Sequence, residues 1–177
     1  MIIVEFNFIA TTFRFKEDDL VDEIKELFYE FGDLYTAVKK THIDGLVVGL
    51  CSKDPIDFIV FLRDKLKDAP WDIRYLLRFI PVEKVVLANL PELKNISVEL
   101  VKKMSNGESF KILVEKRHTN LKKIDIINEI APLVSAKVDL ETPLWILLIE
   151  IIGKYAGVSV IKTDSLFSSM IEKRSLE

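Results

Sequence analysis

Apolar residues recur at helical spacing near the start of the chain. Between residues 16 and 31 they fall on one side of a helix: Leu20, Val21, Ile24, Leu27, Phe28 and Phe31. This spacing predicts an amphipathic helix over residues 16–31. The acidic residues at 17–19 suit the positive N-terminal end of such a helix, and Gly32 can adopt the left-handed conformation that ends it.

Segments typical of strands surround this helix. Residues 2–9, 34–40, 45–51 and 73–80 are rich in β-branched and aromatic residues and predict four strands. A second helix is predicted over residues 56–66, with Asp54 as its N-cap and Pro55 in its first turn. The resulting order, β-α-β-β-α-β, is that of ferredoxin-like domains, which we predict for residues 1–80. Arg74 and Arg78 are expected to share one face of the last strand.

The second half of the chain, residues 81–177, alternates helices with strands and predicts an α/β domain. Helices are expected to begin at Asn89 and at Ser97, and a further helix carries a stripe made of Ile124, Ile127, Ala131 and Val134. Strands are expected over residues 110–115, 145–152 and 158–162. The tail from Thr163 is expected to be a short helix or to fray. We expect the two halves to pack together, because no flexible linker separates them near Pro81.

The composition is that of a folded globular protein. The 177 residues are 49% hydrophobic and 30% charged, with a mean hydropathy of +0.22, which excludes a disordered or low-complexity chain. The single cysteine excludes an intramolecular disulfide framework and a cysteine zinc cluster, and the two histidines leave little for a histidine-rich metal site. The sequence has neither the roughly 20 consecutive apolar residues of a membrane span nor the basic region of a signal peptide. We therefore expect a cytoplasmic protein that does not enter a membrane, and the lack of glutamine favours a thermophilic source.

Positive charge is concentrated in one segment. The whole chain has 25 basic and 28 acidic residues, giving a net charge of −3, whereas residues 111–123 hold five basic residues against Glu115 alone. Within that segment, Lys116–Asn120 follows a predicted strand and precedes a predicted helix. Its side chains are therefore expected to be largely exposed and able to bind one anion. The alternative is a solvated basic loop without a ligand, and the residues alone favour neither.

Motifs typical of catalytic and nucleotide-binding sites are missing from the sequence. It contains no G-x-G-x-x-G, G-x-x-x-x-G-K-[ST], H-E-x-x-H or G-x-S-x-G. Cys51 lies in an apolar predicted strand, which favours a buried packing thiol over a nucleophile. The carboxylates of the first helix lie opposite its apolar stripe, which favours a solvated face over a catalytic pair. We therefore expect no catalytic residue, no cofactor and no metal, and a protein that is not itself an enzyme.

Several strings resemble the THUMP domain, which is named for thiouridine synthases, RNA methylases and pseudouridine synthases. Residues 138–143 read VDLETP and resemble its V-D-L-x-x-P signature. Residues 110–112 with Lys116 and Arg117 resemble a strand and basic pair of the same domain, and residues 149–153 and 157–160 resemble its last two strands. Residues 74–82, RYLLRFIPV, resemble the R-Y-x-x-R-x-x-P-[IV] string of one subgroup, the adaptor for tRNA cytidine acetylation.

This resemblance implies a THUMP domain over residues 81–177 and a non-catalytic adaptor that binds tRNA. Its partner would be a separate tRNA acetyltransferase, which forms N4-acetylcytidine from acetyl-CoA with ATP hydrolysis. The residues expected to contact the RNA backbone are basic: Arg74, Arg78, Lys111, Lys116, Arg117, Lys122 and Lys123. Asp139 is expected to be structural, capping a turn or helix. Two alternatives stay open: the RNA-recognition subunit of another tRNA-modifying enzyme, for thiolation or methylation, and a ferredoxin-like regulatory module that binds a small molecule.

Overall fold

The computed structural model describes residues 5–177 and has the predicted mixed α/β class. The chain divides into two compact units. The first contains the described residues up to Pro81 together with Asp164–Glu177, and the second contains Val82–Thr163. The segment Asp164–Glu177, which the sequence assigns to the second domain, is therefore part of the first unit. Every helix among residues 5–177 is too short or too polar to cross a lipid bilayer.

The first unit contains the six predicted elements in the predicted order. They are β1 (Phe8–Thr11), α1 (Glu17–Phe31), β2 (Ala37–Lys40), β3 (Leu46–Leu50), α2 (Pro55–Asp68) and β4 (Arg78–Pro81). The four strands lie in the order β4-β1-β3-β2, and each neighbouring pair is antiparallel. This topology confirms the ferredoxin-like arrangement. Residues 2–4 of the first predicted strand lie outside the described residues.

Local sequence signals set the bounds of both helices. Gly32 has a φ of 91° and ends α1. The side chain of Asp54 accepts a hydrogen bond from the Ile56 N–H at 2.8 Å, and Pro55 is the first residue of α2. The core of this unit is aromatic at its centre, where four buried rings pack together: Phe8, Phe28, Phe58 and Phe79.

The fourth strand is shorter than the alternation over residues 73–80 predicts. Only Arg78–Pro81 forms β4, and residues 73–77 are irregular. The carboxylate of Glu23 on α1 accepts hydrogen bonds from three consecutive backbone N–H groups, those of residues 74–76, at 2.6 to 3.2 Å. These N–H groups are therefore not available to a strand ladder. Arg74 lies outside the strand, and the prediction that it shares a strand face with Arg78 is wrong.

The second unit is built on a five-stranded sheet. Its elements are β5 (Lys84–Leu87), α3 (Leu90–Leu100), β6 (Ser109–Arg117), α4 (Lys123–Ile130), β7 (Lys137–Val138), β8 (Trp145–Ile152) and β9 (Tyr155–Lys162). The strand order is β5-β9-β8-β6-β7, in which β6 is parallel to β7 and β8, and β9 is antiparallel to its neighbours. Apolar residues of α3 and α4 pack with those of β6, β8 and β9 in one core.

The second unit differs from the sequence-based predictions in three details. Ser97 does not begin a second helix, because it lies buried inside α3. Strand β5 was not predicted. In α4 the buried residues are Ile126 and Ile130, whereas Ile124 is 58% exposed. The helix ends at Ile130, before Pro132, so two residues of the predicted stripe lie beyond it.

The C-terminal segment returns to the first sheet. It forms β10 (Phe167–Ser168), which pairs antiparallel with β4, and α5 (Ser169–Arg174). Arg63 of α2 fixes this segment, since its guanidinium donates to the Glu172 carboxylate at 2.8 Å and to the Leu166 carbonyl at 2.9 Å. Phe167 is fully buried in the core of the first unit. The short helix predicted for the tail is present, but the strand before it was not predicted.

Candidate nucleic-acid interface

The basic segment joins the end of β6 to the start of α4. Lys116 and Arg117 are the last two residues of β6, and the loop itself comprises residues 118–122. Strand β6 pairs with β7 only at Ser109 and Phe110, whereas its pairing with β8 continues to Arg117, so the segment begins where β6 is paired on one side. Successive side chains of a strand point to opposite faces, and Lys116 and Arg117 therefore have different surroundings.

Arg117 is half-buried and is used inside the protein. One of its guanidinium nitrogens lies 2.7 Å from the Oε2 atom of Glu150, and the Glu150 side chain has no exposed surface. Its backbone carbonyl also accepts a hydrogen bond from the Gly153 N–H. The expectation that the Arg117 side chain is largely exposed is wrong, because a buried carboxylate on β8 requires a cation at this position.

Lys116 is exposed and helps to order the loop that follows it. Its ammonium donates to the Leu121 carbonyl at 2.9 Å, and the Leu121 N–H donates to the Thr119 hydroxyl at 3.3 Å. His118 adopts a left-handed backbone conformation with a φ of 53°. These features define the path of the loop before α4 begins.

Lys122 and Lys123 lie at the N-terminus of α4 and are both exposed. Lys122 occupies the N-cap position, and no side chain accepts hydrogen bonds there. The Lys123 ammonium is 3.9 Å from the Glu115 carboxylate, a loose ion pair at the surface. Two cations beside the positive end of a helix repel that end, and an anion bound there would relieve the repulsion. This arrangement suits phosphate, because the backbone N–H groups of the first turn of α4 lie beside two exposed lysines.

The other predicted contacts lie elsewhere. Lys111 is half-buried on β6 and shares a strand face with Arg117, not with Lys116. Arg78 is half-buried at the start of β4 in the first unit. Arg74 is exposed in the same unit, where its guanidinium donates to the Trp71 carbonyl at 3.0 Å. It borders a cleft whose other lining residues are mostly acidic: Asp19, Asp22, Glu23, Glu26, Glu30 and Asp72.

The VDLETP string has a structural role in this unit. The Asp139 carboxylate accepts hydrogen bonds from the N–H groups of Glu141 at 3.0 Å and Thr142 at 2.9 Å. The Thr142 and Glu141 amides hold the pKa of Asp139 below its ordinary value. Its own N–H donates to the Phe110 carbonyl of β6. The expectation that Asp139 caps a turn is confirmed.

Cys51 is also structural. Burial raises the pKa of the Cys51 thiol to about 11, and its sulfur lies 3.4 Å from the Asn7 side-chain oxygen. A thiol with a raised pKa is a poor nucleophile. Among residues 5–177, no group of three or more His, Cys, Asp or Glu side chains is placed to hold a metal ion.

The sequence analysis did not identify one pair of exposed aromatic side chains as a candidate surface. Phe13 and Phe15 project from the turn between β1 and α1 and are 52% and 76% exposed. The alternation of aromatic and basic residues in Phe13-Arg14-Phe15-Lys16 was the available signal. Basic and aromatic residues interleaved in this way are typical of surfaces that bind single-stranded nucleic acid.

Comparison with known proteins finds one matching domain family and several solved structures with a similar fold. Residues 88–161 match the model of the THUMP domain family. No curated protein sequence matches the chain. Similar solved structures include PH1313 from Pyrococcus horikoshii, with a TM-score of 0.65 and 15% identity. TrmN from Thermus thermophilus is similar with a TM-score of 0.61 and 13% identity. A 4-thiouridine synthetase in complex with RNA and bound ATP is similar with a TM-score of 0.59 and 19% identity.

These likenesses extend over nearly all of this chain but only part of the other proteins. The three alignments cover 89%, 88% and 93% of this chain, and 55%, 45% and 42% of the respective structures. The chain thus spans about half the length of each. At these identities the likeness shows a shared fold.

Proposed function

We propose that this chain binds tRNA and presents it to a separate modification enzyme, because residues 88–161 match the THUMP domain family. The observation that carries the proposal is the cluster of exposed lysines around the N-terminus of α4, formed by Lys116, Lys122 and Lys123, which we call the α4 cluster. The Arg117–Glu150 pair fixes the strand end from which the cluster projects.

The α4 cluster binds backbone phosphates and does not read bases. Lysine acts as a point charge and tolerates many phosphate geometries, whereas bidentate recognition of a base edge is typical of arginine. Free backbone N–H groups at the start of α4 add donors aimed at the same anion. Binding of this kind releases counterions, so its affinity falls steeply as the salt concentration rises.

The enzyme that the proposal favours is the acetyltransferase that forms N4-acetylcytidine. The RYLLRFIPV string of residues 74–82, which resembles the adaptor of that reaction, supports this choice. In this role the chain itself supplies no catalytic group and holds the RNA while the partner uses acetyl-CoA and ATP.

A second candidate function is RNA recognition for tRNA thiolation or methylation. It is favoured by the similarity of the fold to a 4-thiouridine synthetase that was solved with RNA. Nucleoside mass spectrometry of tRNA from a strain that lacks the gene separates the two. Loss of N4-acetylcytidine supports the acetylation adaptor, whereas loss of a thiolated or methylated nucleoside, with acetylcytidine intact, supports the second candidate.

Charge reversal tests the α4 cluster directly. We expect Lys122→Glu combined with Lys123→Glu to weaken binding of a tRNA transcript at least tenfold, or about 1.4 kcal/mol, because two attractions become repulsions. The slope of log K against log salt should become shallower by about one unit for each lost contact. Fluorescence anisotropy at several salt concentrations measures both quantities.

The matched control is Lys25→Glu combined with Lys39→Glu. Both residues are exposed in the first unit, and the double change alters the net charge equally. We expect the control to keep both the affinity and the salt slope near those of the unmodified protein. An equal loss in both double variants would show that only net charge matters, and the α4 cluster would then not be the binding site.

A further inference from the structure

A second, aromatic surface lies in the first unit, at the C-terminal end of β1. Residues 12–16 connect β1 with α1, and the Lys16 N–H donates to the Phe13 carbonyl at 3.1 Å. This hydrogen bond closes a four-residue turn, which we call the Phe13–Lys16 turn. The ring of Phe15 projects from its third position and is 76% exposed.

The backbone of Phe15 is strained. Its φ is 65°, in the left-handed region that bulky residues rarely adopt. Turns with a positive φ at their third residue ordinarily have glycine there. Since most of the Phe15 ring lies in solvent, burial within the protein does not offset the strain. Backbone strain of this kind is concentrated at active sites and ligand-binding sites.

Hydrogen bonds hold the turn in place before any ligand arrives. The Glu17 carboxylate accepts from the N–H groups of Phe15 at 3.3 Å and Gly45 at 2.5 Å, which ties the turn to the loop between β2 and β3. Arg14 donates to Asp44 of that loop at 2.8 Å, and its guanidinium lies 5.0 Å from the centre of the Phe15 ring. A turn whose backbone is already fixed loses little conformational entropy on binding.

The charges around the turn identify the part of a ligand that it can hold. Both of its cations have carboxylate partners, since Arg14 pairs with Asp44 and Lys16 lies 3.1 Å from Asp19. The turn is therefore poorly suited to phosphate and better suited to a flat, uncharged group. A nucleobase is such a group, and any base can stack on a phenylalanine ring.

We propose that the Phe13–Lys16 turn stacks an unpaired base of the bound RNA on Phe15. This inference rests on the RNA binding proposed above and deepens it, because it assigns an unpaired segment of the RNA to the first unit. The α4 cluster attracts backbone phosphates in a salt-dependent way, and the turn contacts a base that is not paired in a double helix.

The test uses Phe15→Gly in the full chain. Glycine removes the ring and suits the positive φ, so we expect the melting temperature to stay within about 3 °C of the unmodified protein. Affinity for a tRNA transcript should fall about 5- to 150-fold, as for loss of one stacked base, while affinity for a fully paired RNA duplex is unchanged. The salt slope should also stay unchanged, because no phosphate contact is lost.

Two further variants control this test. Phe15→Trp keeps an aromatic face and should retain the affinity for the transcript. Tyr35→Ala removes another exposed ring, 84% exposed, from the loop before β2 at the opposite end of the same sheet, and should have no effect.

The outcomes separate this inference from the proposed function. If the unmodified protein binds the transcript and Phe15→Gly binds it equally tightly, the stacking proposal is overturned and the turn serves another partner, such as a protein. Equal losses for transcript and duplex overturn it as well. Failure of the unmodified protein to bind either RNA overturns the proposed function and the stacking proposal with it.

Discussion

Among single residues, Arg117 decides how the basic segment is used. Its guanidinium neutralises Glu150, which has no exposed surface, and so it is committed to the interior of the second unit. A buried carboxylate that loses its cation is strongly unfavourable, whereas an exposed lysine such as Lys116 contributes little to stability. Arg117 therefore stabilises the fold, whereas its neighbour Lys116 remains at the surface.

We expect Arg117→Met to lower the free energy of unfolding by about 3–5 kcal/mol, because Glu150 would be left as an unpaired buried charge. Urea denaturation followed by circular dichroism measures the loss. Lys116→Met, one position earlier, is the matched control and should change stability by less than about 1 kcal/mol. Adding Glu150→Met to Arg117→Met should restore part of the stability. Equal midpoints for the two single variants would refute the structural role of Arg117.

The reason this pair was not predicted is the distance along the chain. Arg117 and Glu150 are 33 residues apart and meet only because β6 and β8 pair in parallel. The role of Asp139 was predictable, since its carboxylate accepts hydrogen bonds from amides only two and three residues further on. Sequence patterns therefore identify the lysines of the candidate site but do not show which neighbouring cation is already paired.

Among elements, one carboxylate joins two loops of the first unit. Asp33 follows α1, and it accepts hydrogen bonds from the N–H groups of Ser52 at 2.7 Å, Lys53 at 2.9 Å and Tyr35 at 3.1 Å. Burial alone would raise the pKa of Asp33, but these hydrogen bonds outweigh it and leave the pKa below its ordinary value. Asp33 thus ties the end of α1 to the segment that leads into α2.

The lowered pKa of Asp33 predicts a pH-dependent contribution to stability. A carboxyl whose pKa is lower in the folded state stabilises the fold above its unfolded pKa of about 3.9, and the contribution is lost as the pH falls through the folded value. We expect Asp33→Asn to lower stability at pH 7 by about 1–3 kcal/mol, since hydrogen bonds to a charged acceptor are lost. The difference should shrink below about pH 4. Thermal unfolding between pH 2 and 7 checks this, with the exposed Asp68→Asn as control; a difference that is constant with pH would contradict it.

The bounds of helices could be predicted where capping residues lie next to the helix ends. Helix α1 ends at Gly32 as predicted, and α2 begins after Asp54 as predicted, because caps depend on neighbouring residues. The segment at residues 73–77 was not predictable in this way. Its backbone N–H groups donate to the carboxylate of Glu23, which lies on α1. Because the acceptor is 51 to 53 residues away in sequence, the pattern of residues 73–77 does not indicate it.

For the whole molecule, the net charge of −3 conceals surfaces of opposite sign. Exposed carboxylates line α1 in the first unit, whereas the α4 cluster in the second unit is basic. The local electrostatic potential of a surface decides where a polyanion binds, and the net charge of the whole chain does not. A protein with a negative net charge can therefore bind a polyanion through one basic patch, which is the role proposed for the α4 cluster.

A single division near Pro81 implies that the two units are successive halves of the chain. The C-terminal segment shows that they are not, because Asp164–Glu177 belongs to the first unit. Phe167 is fully buried, pairs with Phe79 of β4 and completes the core of the first unit. We expect Phe167→Ala to lower stability by about 3–5 kcal/mol through lost burial and the cavity that remains. Hydrogen exchange followed by mass spectrometry should then show faster exchange in β4 and β1, far from Phe167 in sequence. Ile171→Ala, which truncates an exposed side chain of α5, is the matched control and should leave those rates unchanged. Faster exchange confined to β6 would instead mean that the segment supports the second unit.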